Sequence, residues 1–318
     1  MMAVATGLRE RFRVSVCALD RRRMTVERST RGELLERFGG SGNVAFVREP
    51  DELRAVLDPV DAVLWYGMNP FTPSVLEAMP RRPASVRVVH TSKEEEGPIY
   101  HERWKHCIDA AVCVSPVMQR RIPGAVFIPN TASPDRLLGE RASFFENSRK
   151  TVGYLGRLFH FKNIVWLLDH LGELDCNLLI QGIDTEELTR ADLEERARRL
   201  GVADRVRFLE PGPDVGTLLR SVDAVAIVSQ FEGFPMVAVE AGFLGVPVIA
   251  TRVGALPEVF GDEIAFVDEE AGEPVAASVR RALETAGPAL GKRLQEKVDR
   301  LCGRDAVVAR YAEVLEKL

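Results

Sequence analysis

Residues 223–253 read DAVAIVSQFEGFPMVAVEAGFLGVPVIATRV. DAVAIVS is an apolar, β-branched run of strand length, and PVIATRV is a second. Between them lie a turn, QFEGFP, and then MVAVEAGFLG, whose apolar residues recur at helical rather than alternating spacing. A strand that is apolar on both faces has to be covered on both faces, and a helix that carries the chain from one such strand to the next leaves the two parallel. The stretch therefore predicts a strand–helix–strand crossover inside a sheet sandwiched by helices.

Outward from it the same alternation recurs. Toward the amino terminus TVGYLGR, NLLIQG and VRFLE are apolar runs separated by NIVWLLDHLGEL, TRADLEERARRLG and VGTLLRS, and EIAFVD follows PVIATRV. An earlier series, VSVCAL, NVAFV, DAVLWY, VRVVHT, AAVCVS and AVFIPN, precedes a polar stretch at 133–150. Two rounds of strand and helix joined by a polar connection predict an α/β chain of two doubly wound, Rossmann-like domains, 1–140 and 150–300, with a cleft beside the join. RDAVVARYAEVLEKL places apolar residues at helical spacing and reads as a terminal docking helix over 304–318.

The 318 residues suit two domains of ordinary size. With 46% hydrophobic and 28% charged residues the composition is globular, and no apolar run reaches the roughly 18 to 20 residues that cross a bilayer. The amino terminus lacks a secretory pattern, so a cytoplasmic protein is expected, with peripheral contact at the inner membrane face left open. A formal net charge of -5 argues against a general nucleic-acid binder. The five cysteines are scattered and odd in number, which predicts free thiols. The basic runs RERFRV and DRRRM read either as solvated faces or as a small patch for an anionic substrate or lipid surface.

Glu232 and Glu240 pose the chemical question, because they stand eight positions apart across the turn into an apolar helix. In open α/β sheets, ligands bind beyond the carboxyl ends of strands, where Glu232 lies. Gly233, Phe234 and Pro235 then turn the chain into the helix, whose free N–H groups and positive dipole end favour a phosphate. Glu240 lies about 7 to 8 Å further along the axis than Pro235 at 1.5 Å per residue, so the two carboxylates meet different parts of one extended ligand. Carboxylates accept paired hydrogen bonds, which the vicinal hydroxyls of a hexose and of a ribose supply. The diphosphate between two such sugars needs cations, and YLGRLFHFKN offers Arg157 after Gly156, then Lys162. The ligand read from these residues is a nucleotide diphosphate sugar.

These residues resemble those of the retaining GT-B glycosyltransferases grouped as glycosyltransferase family 4, also called group 1. G-R-x-x-x-x-K appears at Gly156, Arg157 and Lys162, E-x7-E at Glu232 and Glu240, and a G-x-P-V-I-A segment at 245–250, so the likeness is carried by 151–268. Weaker echoes in the first domain are VVHTS with His90, AAVCVSPVM with Ser115, and FIPN with Asn130. The resemblance implies a GT-B fold, with Glu232 on the donor hexose, Glu240 on the ribose, Arg157 and Lys162 on the diphosphate, and His90 touching the transferred sugar or the acceptor. It implies hexose transfer from a UDP, GDP or ADP donor to a glycan, lipid-linked or small-molecule acceptor, with retention, no enzymic nucleophile, no cofactor and no metal.

The sequence departs from that family in places. It opens on what reads as the first helix and second strand, so the innermost strand of the first domain is expected to be absent. A catalytically impaired nucleotide-sugar-binding protein or partner subunit is therefore the alternative expectation, and a nucleotide-sugar epimerase a more distant one. Asn163 stands where a glycine often follows the lysine, Ala255 where a second glycine is common, and TAS follows Asn130 where relatives usually have a glycine and a nearby aspartate. YHERWKHC, with His101, His106 and Cys107, reads as an amphipathic helix rather than a metal cluster. His160 between Phe159 and Phe161 reads as loop-shaping or packing, and KEEEG at 93–97 as a solvated loop lip.

Overall fold

The computed structural model describes residues 1–19, 44–66, 71–90, 102, 104–212, 214–267 and 275–318. The run 20–24, His101 and the acidic run 93–97 lie outside these. The chain divides into two compact units, one of residues 1–129 with 304–318 and one of residues 130–303.

In the second unit, apolar runs that must be buried on both faces become β7 (Lys150–Arg157), β8 (Cys176–Ile183), β9 (Val206–Phe208), β10 (Ala224–Ile227), β11 (Val248–Ala250) and β12 (Ala265–Phe266). All pair in parallel, in the order β12-β11-β10-β7-β8-β9. The order grows outward in both directions from the β7–β10 neighbours, the doubly wound arrangement, and the point of reversal is where loops diverge to opposite faces and open a crevice. Val152, Leu178, Ile180 and Ile249 are buried in one cluster with Leu167, Leu168 and Leu193 from covering helices. The predicted helix over NIVWLLDHLGEL is shorter than its apolar pattern, running only over Ile164–Asp169. Leu171 N–H donates to Leu168 C=O three residues back, and Gly172 follows, so the chain tightens into turns while Leu171 and Leu174 still reach the core.

The first unit is also parallel but divided. Among the described residues, β1 (Val16–Leu19) pairs only with β2 (Val44–Val47), whereas β3 (Ala62–Trp65), β4 (Ala84–Val89), β5 (Ala110–Cys113) and β6 (Val126–Phe127) form a separate sheet in that order. No described strand joins the two. The helix Pro50–Leu57 begins with a capping box between Glu49 and Glu52 and lays Leu53 and Leu57 on Val47 and Trp65. The final helix, Arg304–Glu316, packs on the helix Met2–Leu8 closely enough that a Cβ on Gly7 would stand 2.4 Å from Val308 Cγ2.

Cys107 is buried with its thiol donating to Trp104 C=O, and His106 Nε2 lies 2.7 Å from Glu77 Oε1. Among the described residues, no helix is long and apolar enough to cross a membrane.

Candidate functional site

The reversal point between β7 and β10 carries the charged residues singled out by the sequence. Gly156, near the end of β7, has φ 150, a backbone shape that glycine adopts without the steric cost a side chain imposes. The buried Tyr154 hydroxyl donates to Arg157 C=O at 2.9 Å, and Leu158 N–H donates to Ile183 C=O, so the strand end is fastened from below and from the side. Burial, and then the negative charge of Glu232, raise the Tyr154 pKa and keep its phenol a donor. Arg157 itself is exposed, its guanidinium 4.8 Å from the centre of the Phe159 ring. Among the described residues no carboxylate pairs with it, which leaves its charge for an anion from solution.

A short turn, His160–Lys162, follows and ends at Asn163, which is left-handed with φ 55. That conformation is why a glycine suits this position, and asparagine is among the few other residues that tolerate it. The turn directs Lys162 Nζ to Glu232 Oε1 at 2.5 Å, and Ser229 Oγ donates to the same oxygen at 2.8 Å. The Lys162 and Glu232 side chains are 23% and 10% exposed, so the pair sits in a partly dry recess that solvent and a ligand can still reach. The loops are also joined by Gln230 N–H to Phe161 C=O at 2.8 Å, and by Phe161 stacked between Phe159 and Phe231, with centroids 5.4 and 4.3 Å away.

Behind Glu232, the turn into the helix is packed rather than open. Phe234 is buried against Phe260, and Pro235 caps the helix Met236–Phe243, so a ligand here would meet the backbone of Phe234 and not its ring. The 251–255 loop is pressed on this turn. Ala255 N–H donates to Gly233 C=O, and Gly254 at φ 56 comes so near that a Cβ would stand 2.1 Å from Glu232 O. The second position of that pair, Ala255, has an ordinary φ of -75 and is fully buried, so a methyl group fits there.

Glu240 departs most from the picture of an open acceptor. Its side chain is 3% exposed, and its Oε1 accepts a 2.8 Å hydrogen bond from Arg136 Nε, a partner 104 residues earlier. Burial raises its pKa, and the Arg136 guanidinium opposes that rise.

Eight of the named residues thus lie in the second unit at the carboxyl ends of β7 and β10, or in the helix that β10 leads into. His90 belongs to the first unit, following β4, with its ring stacked on Tyr66 at 5.2 Å. It retains an exposed edge, yet crowding by protein, and then the positive charge of the Met1 amino group, lower its pKa to about 4, so it is neutral at physiological pH. Sequence reasoning missed Ser229, Arg136, and the joining role of Phe231. Ser229 was open to view three residues before Glu232; Arg136 lies in the polar connection with no local signal of its role.

A family model described as glycosyl transferases group 1 matches residues 139–299, about half of the chain. A D-inositol 3-phosphate glycosyltransferase of Corynebacterium diphtheriae is 31% identical over 199 residues, which are 59% of this chain and 44% of that protein. The lipopolysaccharide core biosynthesis mannosyltransferase LpsB of Rhizobium meliloti is 29% identical over 162 residues, 49% of this chain and 45% of that one. The chain spans less than half the length of these curated relatives. Anabaena HepE, solved with UDP and glucose, superposes with a TM-score of 0.77 at 17% identity, covering 100% of this chain and 95% of that one. Sucrose-phosphate synthase from Thermosynechococcus elongatus gives 0.67 at 18%, covering 92% and 80%. Likeness at such identities speaks for the fold, which is GT-B with two Rossmann-like units.

Proposed function

The chain belongs to the glycosyl transferases group 1 family, and on that premise we propose that it is a retaining glycosyltransferase of the family 4 kind, moving a hexose from a nucleotide diphosphate sugar to an acceptor hydroxyl. The observation that carries this reading is the Lys162–Glu232 pair at the reversal point of the second sheet, with Arg157 beside it and free of any described acid partner. Arg157 and Lys162 take the diphosphate, Glu232 the hexose hydroxyls, the backbone of 233–235 the approach to the helix, and Glu240 the ribose. Neutral His90 touches the transferred sugar or the acceptor.

In the reaction, the bond from the anomeric carbon to the phosphate oxygen breaks and its electron pair leaves with the diphosphate. The acceptor oxygen bonds to the same face of that carbon, and its proton passes to the departing phosphate oxygen. The charge gathering on the diphosphate is what the protein has to stabilise, and two fixed cations do this in place without a cofactor. Glu232 leaves Lys162 when the ligand enters, or shares it, which couples the filling of the hexose and phosphate positions.

A second reading, donor binding without turnover, is favoured by one observation: among the described residues the first unit's strands form two separate sheets. One experiment addresses both. UDP-, GDP- and ADP-hexoses are offered, UDP first because HepE was solved with it, and release of nucleoside diphosphate and the anomeric configuration of the product are followed. Turnover with retention is expected, and Arg157→Ala lowers it roughly 100-fold, as for loss of one preorganised charge stabiliser. Stabilisation by a nucleotide with no turnover from any donor favours the second reading, and full activity of the Arg157 variant removes that residue from its role.

A further inference from the structure

Among the described residues, Glu240 is the only charged residue that is buried. A lone carboxylate there would be expensive to keep ionised, since burial disfavours its charged form. The structure supplies one cation, Arg136, from the turn Pro134–Leu137, which precedes the stretch matched by the family model. That turn is firmly mounted. Arg136 N–H donates to Ser133 C=O at 3.1 Å, Val215 N–H donates to Arg136 C=O at 2.9 Å, and Leu138 O approaches the helix Gly216–Arg220 so closely that a Cβ on Gly216 would stand 1.5 Å from it.

The contact is one-sided. Arg136 bonds through Nε to Oε1 alone, and its side chain is 41% exposed, so the guanidinium bridges buried carboxylate and solvent. A carboxylate has room for about four donors, and one is used. We propose that Arg136 is a positioning residue of the donor site: by holding Oε1 it presents Oε2 of Glu240 as an acceptor for the ribose hydroxyls of the nucleotide. This rests on the reading of Glu240 as the ribose carboxylate and extends it to a residue outside the E-x7-E pattern. Arg136 makes no bond to the ribose in this role; it favours the charged form of Glu240 and turns the carboxylate the right way.

The test is a comparison of ligands that differ by one hydroxyl. Calorimetric affinities of UDP, GDP and ADP and of their 2′-deoxy counterparts are measured for the full chain, for Arg136→Met and for Arg136→Gln. Both substitutions leave the main-chain bonds of residue 136 in place, and two variants guard against one failing to fold. The wild type is expected to prefer the ribonucleotide by roughly ten-fold or more, as for a hydrogen bond to a charged group, and the variants to lose most of that ratio. A merely structural role would weaken ribo- and deoxynucleotide alike and leave the ratio unchanged. Binding of none of the three, or no preference by the wild type, overturns the reading of Glu240 and this inference with it. A wild-type preference retained in a folded Arg136 variant overturns the inference alone.

Discussion

Asn163 shows how one residue carries both legible and hidden information. Its place after Lys162 marks a turn, and the left-handed φ of 55 explains why a glycine suits the position and why asparagine can stand in. Glu240 is the opposite case. Its spacing from Glu232 is plain in the sequence, yet nothing local announces a guanidinium 104 residues away, because ion pairs across a fold leave no periodic trace. The raised pKa of Glu240 has a stability consequence. A carboxyl whose pKa is higher folded than unfolded stabilises the fold while both states are protonated, and that contribution is lost as pH rises through the folded value. Ionising Glu240 is therefore a cost that Arg136 only partly offsets. Glu240→Gln removes that cost and is expected to leave the thermal midpoint of the ligand-free protein at pH 7 unchanged or higher, while weakening nucleotide binding by about 1 to 3 kcal/mol. Calorimetry on the variant checks both, and a clear fall in the midpoint with unaltered nucleotide affinity contradicts the assignment.

At the scale of elements, the site is two loops held at a fixed distance. The strands of the second unit are legible because parallel strands covered on both faces read as unbroken apolar runs, as in DAVAIVS and NLLIQG. The order of those strands is not written in any one of them, and only that order brings the loop after β7 beside the loop after β10. What locks the two loops was also hidden, since Phe159 and Phe161 look like ordinary packing residues until Phe231, 70 residues after Phe161, stacks on the other side of Phe161. The stack, with the Gln230–Phe161 bond, sets where Arg157 and Lys162 stand relative to Glu232. Phe231→Ala is expected to cost about 1 kcal/mol of stability, the worth of an aromatic pair, and to lower turnover roughly ten-fold through displaced cations. Circular dichroism and donor turnover measured together check this. Undiminished turnover in the folded variant shows that the stack only packs.

For the whole molecule, what the sequence declared unevenly the structure repeats. The second unit matches the family model and holds the charged site, while in the first unit the described strands fall into two sheets and His90 is the one residue proposed to meet the ligand. The closing helix Arg304–Glu316 belongs to that first unit, with Tyr311 buried and the Arg310 guanidinium donating to Phe127 C=O. Its apolar spacing was readable, but the partner was not, because helical periodicity names a face and not what covers it. The central claim is that a nucleotide diphosphate sugar lies at the β7–β10 reversal point of the second unit. A crystal structure of the full chain with a bound donor tests it most directly. The account predicts diphosphate oxygens within hydrogen-bond distance of Arg157 and Lys162, hexose hydroxyls on Glu232 and ribose hydroxyls on Glu240. A donor bound elsewhere on the protein, with the Lys162–Glu232 pair undisturbed, would contradict it.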